Sequence, residues 1–308
     1  MEIAERAVQA PGGDGADPWT GFLATPVDGG GAAVLVLAGS SGRIEDARCR
    51  LLAREGVTAL SIQWFGGPEQ PPGICEVPLE TFVSAIEWLR TNGARRVGVL
   101  GTSKGAEAAL HVAGLHDGVD AVVALSPTST TWANVGPGRD GTARPHRSCW
   151  TWRGRPLPFV AYDGAWAAAG PEGEPVPILG WYEQSLRTFA DRVPAASVPV
   201  GGRGTDLVLV AGGDDLMWPS LRFAGELAAR RRAAGLPVRL ITRADAGHRP
   251  RLPGEGPAAP SALFRYGGSP AADAALGADA WPHLLDALLG AGAAGTRGHG
   301  SPAAGTPA

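Results

Sequence analysis

From about residue 31 onward, short aliphatic runs alternate with longer stretches whose apolar positions recur every three or four residues. GAAVLVLAG (31–39) is apolar throughout and reads as a buried strand, with a helix expected from about Ile44 to Glu55. VTALSIQW (57–64) is the next strand, and LETFVSAIEWLRTNG (79–93) is a helix pattern with a glycine stop. RVGVL (96–100) is a third strand that runs into Ser103 and then a helix from Lys104 to about Ala113. VDAVVALS (119–126), TDLVLVAGG (205–213) and PVRLITRAD (237–245) supply three more strands. Helices are expected from Pro219 to about Ala234 and from about Ala278 to Leu289. Such repeated strand–helix units give an α/β fold with a mainly parallel sheet and helices on both faces.

The stretch 127–180 breaks this rhythm. It is rich in Pro, Gly, Trp and Arg, including SCWTWRGRPLPFV (148–160), and is placed to form a lid-like excursion or one wall of a pocket. Residues 1–17 are polar and glycine-rich, and 291–308 are of low complexity, so both are expected to be disordered tails. That leaves a single α/β domain over 18–290.

Composition narrows the partners. Of 308 residues, 44% are hydrophobic, enough for a substantial core. The formal net charge of −3 leaves no basic footprint for nucleic acid and no polybasic membrane patch. Arg230, Arg231 and Arg232 fall in a helical pattern and read as a solvated face. The three cysteines form no C-x-x-C, so neither a disulfide framework nor a metal site is expected, and a reducing, cytoplasmic setting fits. The start, MEIAERAVQAPGG, has no apolar core of a signal peptide, no run approaches a membrane span, and the last residues match no peroxisomal address. The chain is expected to be soluble. Oligomeric state is not legible at this level.

The candidate chemistry centres on Gly101-Thr102-Ser103-Lys104-Gly105. With 46 glycines in the chain, G-x-S-x-G alone is a weak signal. Its setting is the stronger one, because a buried strand leads in and a helix follows at once. Small residues on either side let the chain turn sharply, lifting the Ser103 hydroxyl at the sheet's carboxyl edge and aiming helix-terminal N–H groups at a developing oxyanion. A serine needs a base, and the base an orienting carboxylate. In this architecture the acid follows a later strand and the histidine the last one. VAGGDDLMWPS puts Asp214 and Asp215 after a strand, and ADAGHRP puts His248 beyond the next. His248 alone of the six histidines occupies the required loop. Spacing from Gly212 favours Asp215, whereas a slip of one residue would select Asp214.

The oxyanion hole is expected to pair the Lys104 backbone N–H with one from Ser40 or Ser41, in the loop AGSSGR (38–43) after the first buried strand. The Lys104 side chain either pairs with Glu107, three residues on, or contacts an anion such as a substrate phosphate. Trp64, Phe65 and Trp218 follow strand ends and are candidates for an acyl pocket, with core packing as the alternative.

These residues also carry a family resemblance. GSSGRIEDARCRLLAREGVTAL (39–60), VGVLGTSKGAEAAL (97–110), VAGGDDLMWPS (210–220) and AGHRP (246–250) are similar to the C-terminal catalytic domain shared by acyl-CoA thioester hydrolases and bile acid-CoA:amino acid N-acyltransferases, within the dienelactone hydrolase-like part of the α/β-hydrolase superfamily. DAWPHLLDALLG (279–290) fits as well. The resemblance covers about Gly31 to Gly290 and implies an α/β-hydrolase fold with nucleophile Ser103, acid Asp215 and base His248. It also implies an acyl thioester as small-molecule substrate, a place in acyl-CoA or fatty acid metabolism, and no cofactor beyond the CoA that is part of that substrate. In the family, serine accompanies release to water and cysteine accompanies transfer to an amino acid, so Ser103 implies hydrolysis. The alternatives are an acyltransferase to an amine or alcohol and a carboxylesterase or dienelactone-hydrolase-like esterase. Two departures stand out. The animal members carry an N-terminal β-sandwich of well over a hundred residues, whereas about 30 residues precede the first expected buried strand here. Ser41 and Arg43 stand where the family often has glycine.

Overall fold

The computed structural model describes residues 1–168, 171, 173–200 and 204–290. The expected tail 291–308 lies outside the described residues, as do positions 169, 170 and 172 of the excursion.

The chain begins with strands β1 (Ile3–Ala10), β2 (Trp19–Pro26) and β3 (Ala32–Leu37), then helix α1 (Asp46–Arg54) and strand β4 (Thr58–Gln63). After the two-residue β5 (Val77–Pro78) come α2 (Glu80–Thr91), β6 (Arg96–Thr102), α3 (Lys104–Leu115) and β7 (Ala121–Leu125). The excursion contributes β8 (Trp150–Trp152) and β9 (Arg155–Pro156), which join β5 in a small second sheet, and leads into α4 (Leu179–Thr188). The chain closes with β10 (Asp206–Gly212), α5 (Ser220–Ala233), β11 (Arg239–Arg243) and α6 (Pro270–Leu289).

The main sheet has eight strands in the order β1-β2-β4-β3-β6-β7-β10-β11. Pairings from β4 to β11 are parallel, while β1–β2 and β2–β4 are antiparallel. Side chains alternate between faces, as a strand's period of two requires. Ala33, Leu35 and Leu37 of β3 and Val97 and Val99 of β6 pack with α2, α3 and α5. Val34, Val36 and Leu100 pack with α1 and α6 on the other face. The chain steps from β3 to β4 on one side and later returns to lay β6 on the other side of β3. That reversal opens a crevice at the carboxyl ends of β3 and β6, the usual place for a ligand in such sheets.

Two expectations are corrected. Residues 1–17 are not a free tail, because β1 pairs along its whole length with β2, from Ile3↔Pro26 to Ala10↔Trp19. As an edge strand it half-buries only Ile3, Val8 and Ala10, so it carries almost no alternating signal. The last helix begins at Pro270 rather than near Ala278. Ser269 caps it by accepting from the Ala272 N–H at 3.2 Å, and proline is favourable in the first turn. The excursion is packed rather than loose. Its opening residues through Asn134 are buried, and Trp132, Tyr162, Tyr182, Trp218 and Phe223 form an aromatic cluster over α5.

Candidate active site

Ser103 sits between β6 and α3 with φ 56° and ψ −117°, a conformation that a non-glycine residue adopts only under local constraint. The flanking glycines permit it. A Cβ on Gly101 would lie 2.1 Å from the Gly105 carbonyl oxygen, and one on Gly105 would lie 2.4 Å from the Ala38 oxygen. Both neighbours are backbone and cannot yield. The Ser103 N–H donates to Leu125 O at 2.9 Å, tying the turn to β7. The Ser103 carbonyl accepts from Ala106 N and Glu107 N, at 2.9 and 3.1 Å. The N–H groups of Lys104 and Gly105, ahead of these, fall in the helix's first turn, which has no intrahelical acceptors. Gly39 lies against the serine, close enough that a Cβ there would be 3.2 Å from Ser103 Cβ. The turn after β3, closed by Gly42 N to Gly39 O at 3.2 Å, therefore borders the hydroxyl, with Ser40 and Ser41 exposed on it.

The expected acid and base, Asp215 and His248, meet as a pair. His248 Nδ1 donates to Asp215 Oδ2 at 2.7 Å, with both side chains almost fully buried. Asp215 Oδ1 accepts from the backbone N–H groups of Met217 and Trp218, at 2.8 and 3.2 Å. That arrangement fixes the carboxylate and leaves one oxygen for the imidazole. Asp214 is exposed and accepts from Gly268 N at 2.8 Å, so the choice between the two aspartates falls to Asp215 as the histidine's partner. The Ser103 hydroxyl makes no hydrogen bond to the imidazole in this structure. Hydrogen bonds of this kind are often long before substrate binds.

Several residues that hold the site were not singled out from the sequence. Ser126, at the end of β7 with φ 48°, donates from Oγ to the His248 carbonyl at 2.8 Å, while its own carbonyl accepts from Trp218 Nε1 at 3.2 Å. Its predecessor Leu125 accepts from Ser103, so β7 bridges serine and histidine. A lone serine closing an apolar strand was the available signal. The His248 ring lies edge-to-face with Trp218 and stacks on Tyr266, at centroid distances of 5.5 and 5.9 Å. Arg48 reaches from α1 to donate to both oxygens of Glu255 at 2.8 and 3.1 Å, and its Nη1 donates to Thr102 Oγ1 at 3.0 Å. This buried pair clamps the segment beyond His248 to the residue before Ser103. No sequence pattern joins positions 48, 102 and 255.

Lys104 resolves in favour of its helical neighbour. Its ammonium is fully buried and donates to Glu107 Oε2 at 2.8 Å and to Cys149 Sγ at 3.2 Å, so no substrate phosphate reaches it. Burial works against the charge, yet the Cys149 sulfur and the Glu107 carboxylate hold its pKa above the ordinary lysine value. Trp64 is also corrected. It has no exposed surface and packs on Phe65, Phe82 and Trp150, which makes it a core residue rather than a pocket wall. Trp218, 2% exposed, supports the histidine ring. Phe65 is half-buried and packs against Gly42 of the turn after β3, where a Cβ would meet its ring at 2.6 Å. Among the described residues no group of His, Cys, Asp and Glu side chains is arranged to hold a metal ion. No helix is long and apolar enough to cross a membrane, again among the described residues.

No protein-family model matches the sequence. Curated relatives do. The chain is 26% identical over 265 residues to mouse acyl-coenzyme A thioesterase 2, mitochondrial, covering 82% of this chain and 53% of the relative. Human acyl-coenzyme A thioesterase 1 matches at 26% over 262 residues, covering 82% and 58%. A mouse acyl-coenzyme A amino acid N-acyltransferase 1 is 33% identical over 103 residues, 32% of this chain and 25% of that protein. The chain thus spans about half the length of the thioesterases it matches. Among solved structures, a candidate dienelactone hydrolase from Klebsiella pneumoniae superposes with a TM-score of 0.54 at 14% identity, covering 94% of this chain and 99% of that one. A Mycobacterium tuberculosis puromycin-hydrolyzing peptidase gives 0.51 at 14% identity, over 79% of this chain and 36% of that one. The chain has the α/β-hydrolase fold, and its curated relatives are acyl-coenzyme A thioesterases and an acyl-coenzyme A amino acid N-acyltransferase, as its motifs imply.

Proposed function

We propose that this chain is a serine hydrolase that cleaves acyl-CoA thioesters through an acyl-enzyme, in cytoplasmic acyl-CoA and fatty acid metabolism. The observation that carries the proposal is the buried His248–Asp215 pair at 2.7 Å, held through β7 to a turn that presents Ser103. Ser103 Oγ attacks the thioester carbonyl while His248 Nε2 takes its proton and Asp215 steadies the imidazolium. The oxyanion is met by the Lys104 backbone N–H and one from Ser40 or Ser41, each donor worth about 3–4 kcal/mol. Collapse expels CoA as a thiol, which takes the proton back from His248. Water, activated by the same imidazole, then releases the carboxylic acid and restores the serine. Phe65 faces the turn after β3 and is our candidate for the near end of the acyl site. No metal or redox group enters these steps.

Transfer of the acyl group to an amine or alcohol is the second reading, favoured by the similarity to an N-acyltransferase. A panel of acyl-CoAs assayed for free thiol, with and without amines and beside nitrophenyl esters, separates the three activities. Thiol release without amine is expected, with loss on the order of 10³–10⁴-fold in Asp215→Asn and little change in Asp214→Asn. A fluorophosphonate that labels no residue, or one other than Ser103, would refute the assignment.

A further inference from the structure

Two arginines flank this site and have no part in the chemistry above. Arg249 follows His248 directly. Its guanidinium lies over the Tyr266 ring at 3.8 Å from the centroid, and Tyr266 stacks in turn on the imidazole. Nη1 donates to Ala259 O at 2.8 Å, and no carboxylate pairs with this guanidinium among the described residues. Arg43 projects from the turn after β3 that borders Ser103. It is 64% exposed at its side chain and touches Glu45 at 2.9 Å. Arg251 stands nearby, bonded to Gly256 O at 2.8 Å and 3.7 Å from Glu255. Burial is the main cause that lowers the Arg249 pKa. Tyr266 and Asp273 oppose it, while the charges of Arg251 and Arg43 add to it. A guanidinium held flat on an aromatic ring, with no carboxylate bonded to it, can offer its remaining N–H donors to an anion from outside.

Resting on the thioesterase reading, we propose that Arg249 and Arg43 bind the phosphates of the CoA nucleotide, so that the enzyme selects its thioesters by their anionic end. The geometry suits one continuous ligand. Pantetheine is about as long as four extended residues, ~14 Å, and Arg249 lies one aromatic ring beyond the imidazole. A diphosphate at this rim therefore leaves the thioester free to reach Ser103. Neither arginine touches the reacting atoms. They act on substrate capture, and their contribution weakens as salt screens it.

The test compares kcat/KM for an acyl-CoA with that for the same acyl group on pantetheine, which lacks the phosphates. The wild type should prefer the CoA ester by at least about tenfold, mostly through KM, with the preference shrinking as NaCl rises. Arg249→Gln and Arg43→Gln should each lower the ratio by roughly three- to tenfold, and the double variant should bring it toward unity. Because Arg43 is exposed, its variant also guards against a folding artefact at Arg249. A wild-type ratio near unity, or ratios unmoved in the variants, overturns the proposal while thioester cleavage stands. If the wild type cleaves neither thioester, the thioesterase reading falls, and calorimetric titration with adenosine 3′,5′-bisphosphate decides the rim by itself. Binding weakened about tenfold in Arg249→Gln upholds the rim, and no binding to the wild type overturns it.

Discussion

Glu255→Gln removes one charge from the buried clamp between Thr102 and the segment beyond His248. Arg48 is 5% exposed and Glu255 7%, with two direct N–H···O contacts at 2.8 and 3.1 Å. Burial lowers the Arg48 pKa and Glu255 outweighs it. With that carboxylate neutralised, the guanidinium is still too basic to lose its proton near neutral pH, so Arg48 stays charged. An uncompensated buried charge of this kind costs about 3–5 kcal/mol. Against a typical total of about 5–15 kcal/mol, that is a large share of the stability, and it corresponds to a fall in Tm of roughly 5–8 °C for a chain of this size. Replacing both partners by apolar residues in Arg48→Met/Glu255→Leu removes the stranded charge. The double variant should therefore recover at least about 2 kcal/mol relative to the sum of the singles. Catalysis should not recover with stability, since Thr102 is no longer tied to the histidine loop. We expect kcat to stay low in the double variant, with KM less affected. Urea unfolding of the four proteins of the cycle, beside steady-state kinetics, tests both halves. Burial alone would raise the Glu255 carboxyl, but Arg48 holds it below its ordinary 4.5. The pair's contribution is therefore whole above that pH and is lost as pH falls through the lowered value. Additive single-variant losses, or a Glu255→Gln change within about 0.5 kcal/mol, would refute the reasoning.

Two further outcomes follow from the same structure. His111 is buried against Thr131 Oγ1 at 2.9 Å, and burial, followed by the Lys104 charge, pushes its pKa from 6.5 down to about 3. The unfolded chain binds this proton first, so stability falls as pH drops below 6.5, by about 2 kcal/mol at pH 5. His111→Gln should remove that part of the pH slope in urea midpoints, and an unchanged slope would exclude His111 as its source. Gly105→Ala would set a Cβ 2.4 Å from Ala38 O and 2.7 Å from Leu37 O, backbone atoms that cannot move aside, at a cost of at least about 2 kcal/mol. Gly164→Ala, which meets nothing within 4 Å, is the control, and equal urea midpoints would contradict the close packing of α3 on β3.

What the sequence discloses follows from the range of each interaction. The parallel core is legible because burial on both faces leaves unbroken apolar runs, and Val97, Val99 and Leu100 mark β6 without reference to any neighbour. Ser103 and Asp215 are legible because each closes or follows such a strand, and His248 because it follows the last strand, which is half-buried at the sheet edge. β1 is not, since an edge strand with most side chains in solvent has no pattern to read. The early start of α6 is announced only by its cap at Ser269 and Pro270. Ser126, Tyr266, Arg48 and Glu255 act through contacts between distant segments, and their types are as common on surfaces as in sites. Trp64 was misplaced for a related reason. An aromatic at a strand end can face a crevice or a second hydrophobic layer, and here Phe82 and Trp150 supply that layer.

Lys104 shows how the nucleophile's neighbourhood and the excursion form one unit. A cation in the first turn of α3 opposes the helix dipole and, fully buried, has no water to offset the cost. Glu107 supplies the countercharge, but only one of its oxygens faces the ammonium. The other accepts from Trp132 N at 3.1 Å and from Trp150 Nε1 at 2.9 Å. Cys149, whose thiol is pushed up to about 12 chiefly by burial, accepts from the ammonium and donates to Ala133 O at 3.0 Å. Among the described residues, the hydrogen-bond partners of this pair beyond α3 thus belong to the excursion. The pair cannot stay buried and satisfied unless the excursion is seated, and the excursion cannot shift at Trp132 or Trp150 without stranding a carboxylate oxygen. Because Lys104 also carries the N–H that we assign to the oxyanion, the wall of the site is coupled to the donor through a single residue. Loop exchange within this fold would therefore have to carry the Lys104–Glu107 pair along with the excursion, or remove the charge from both positions.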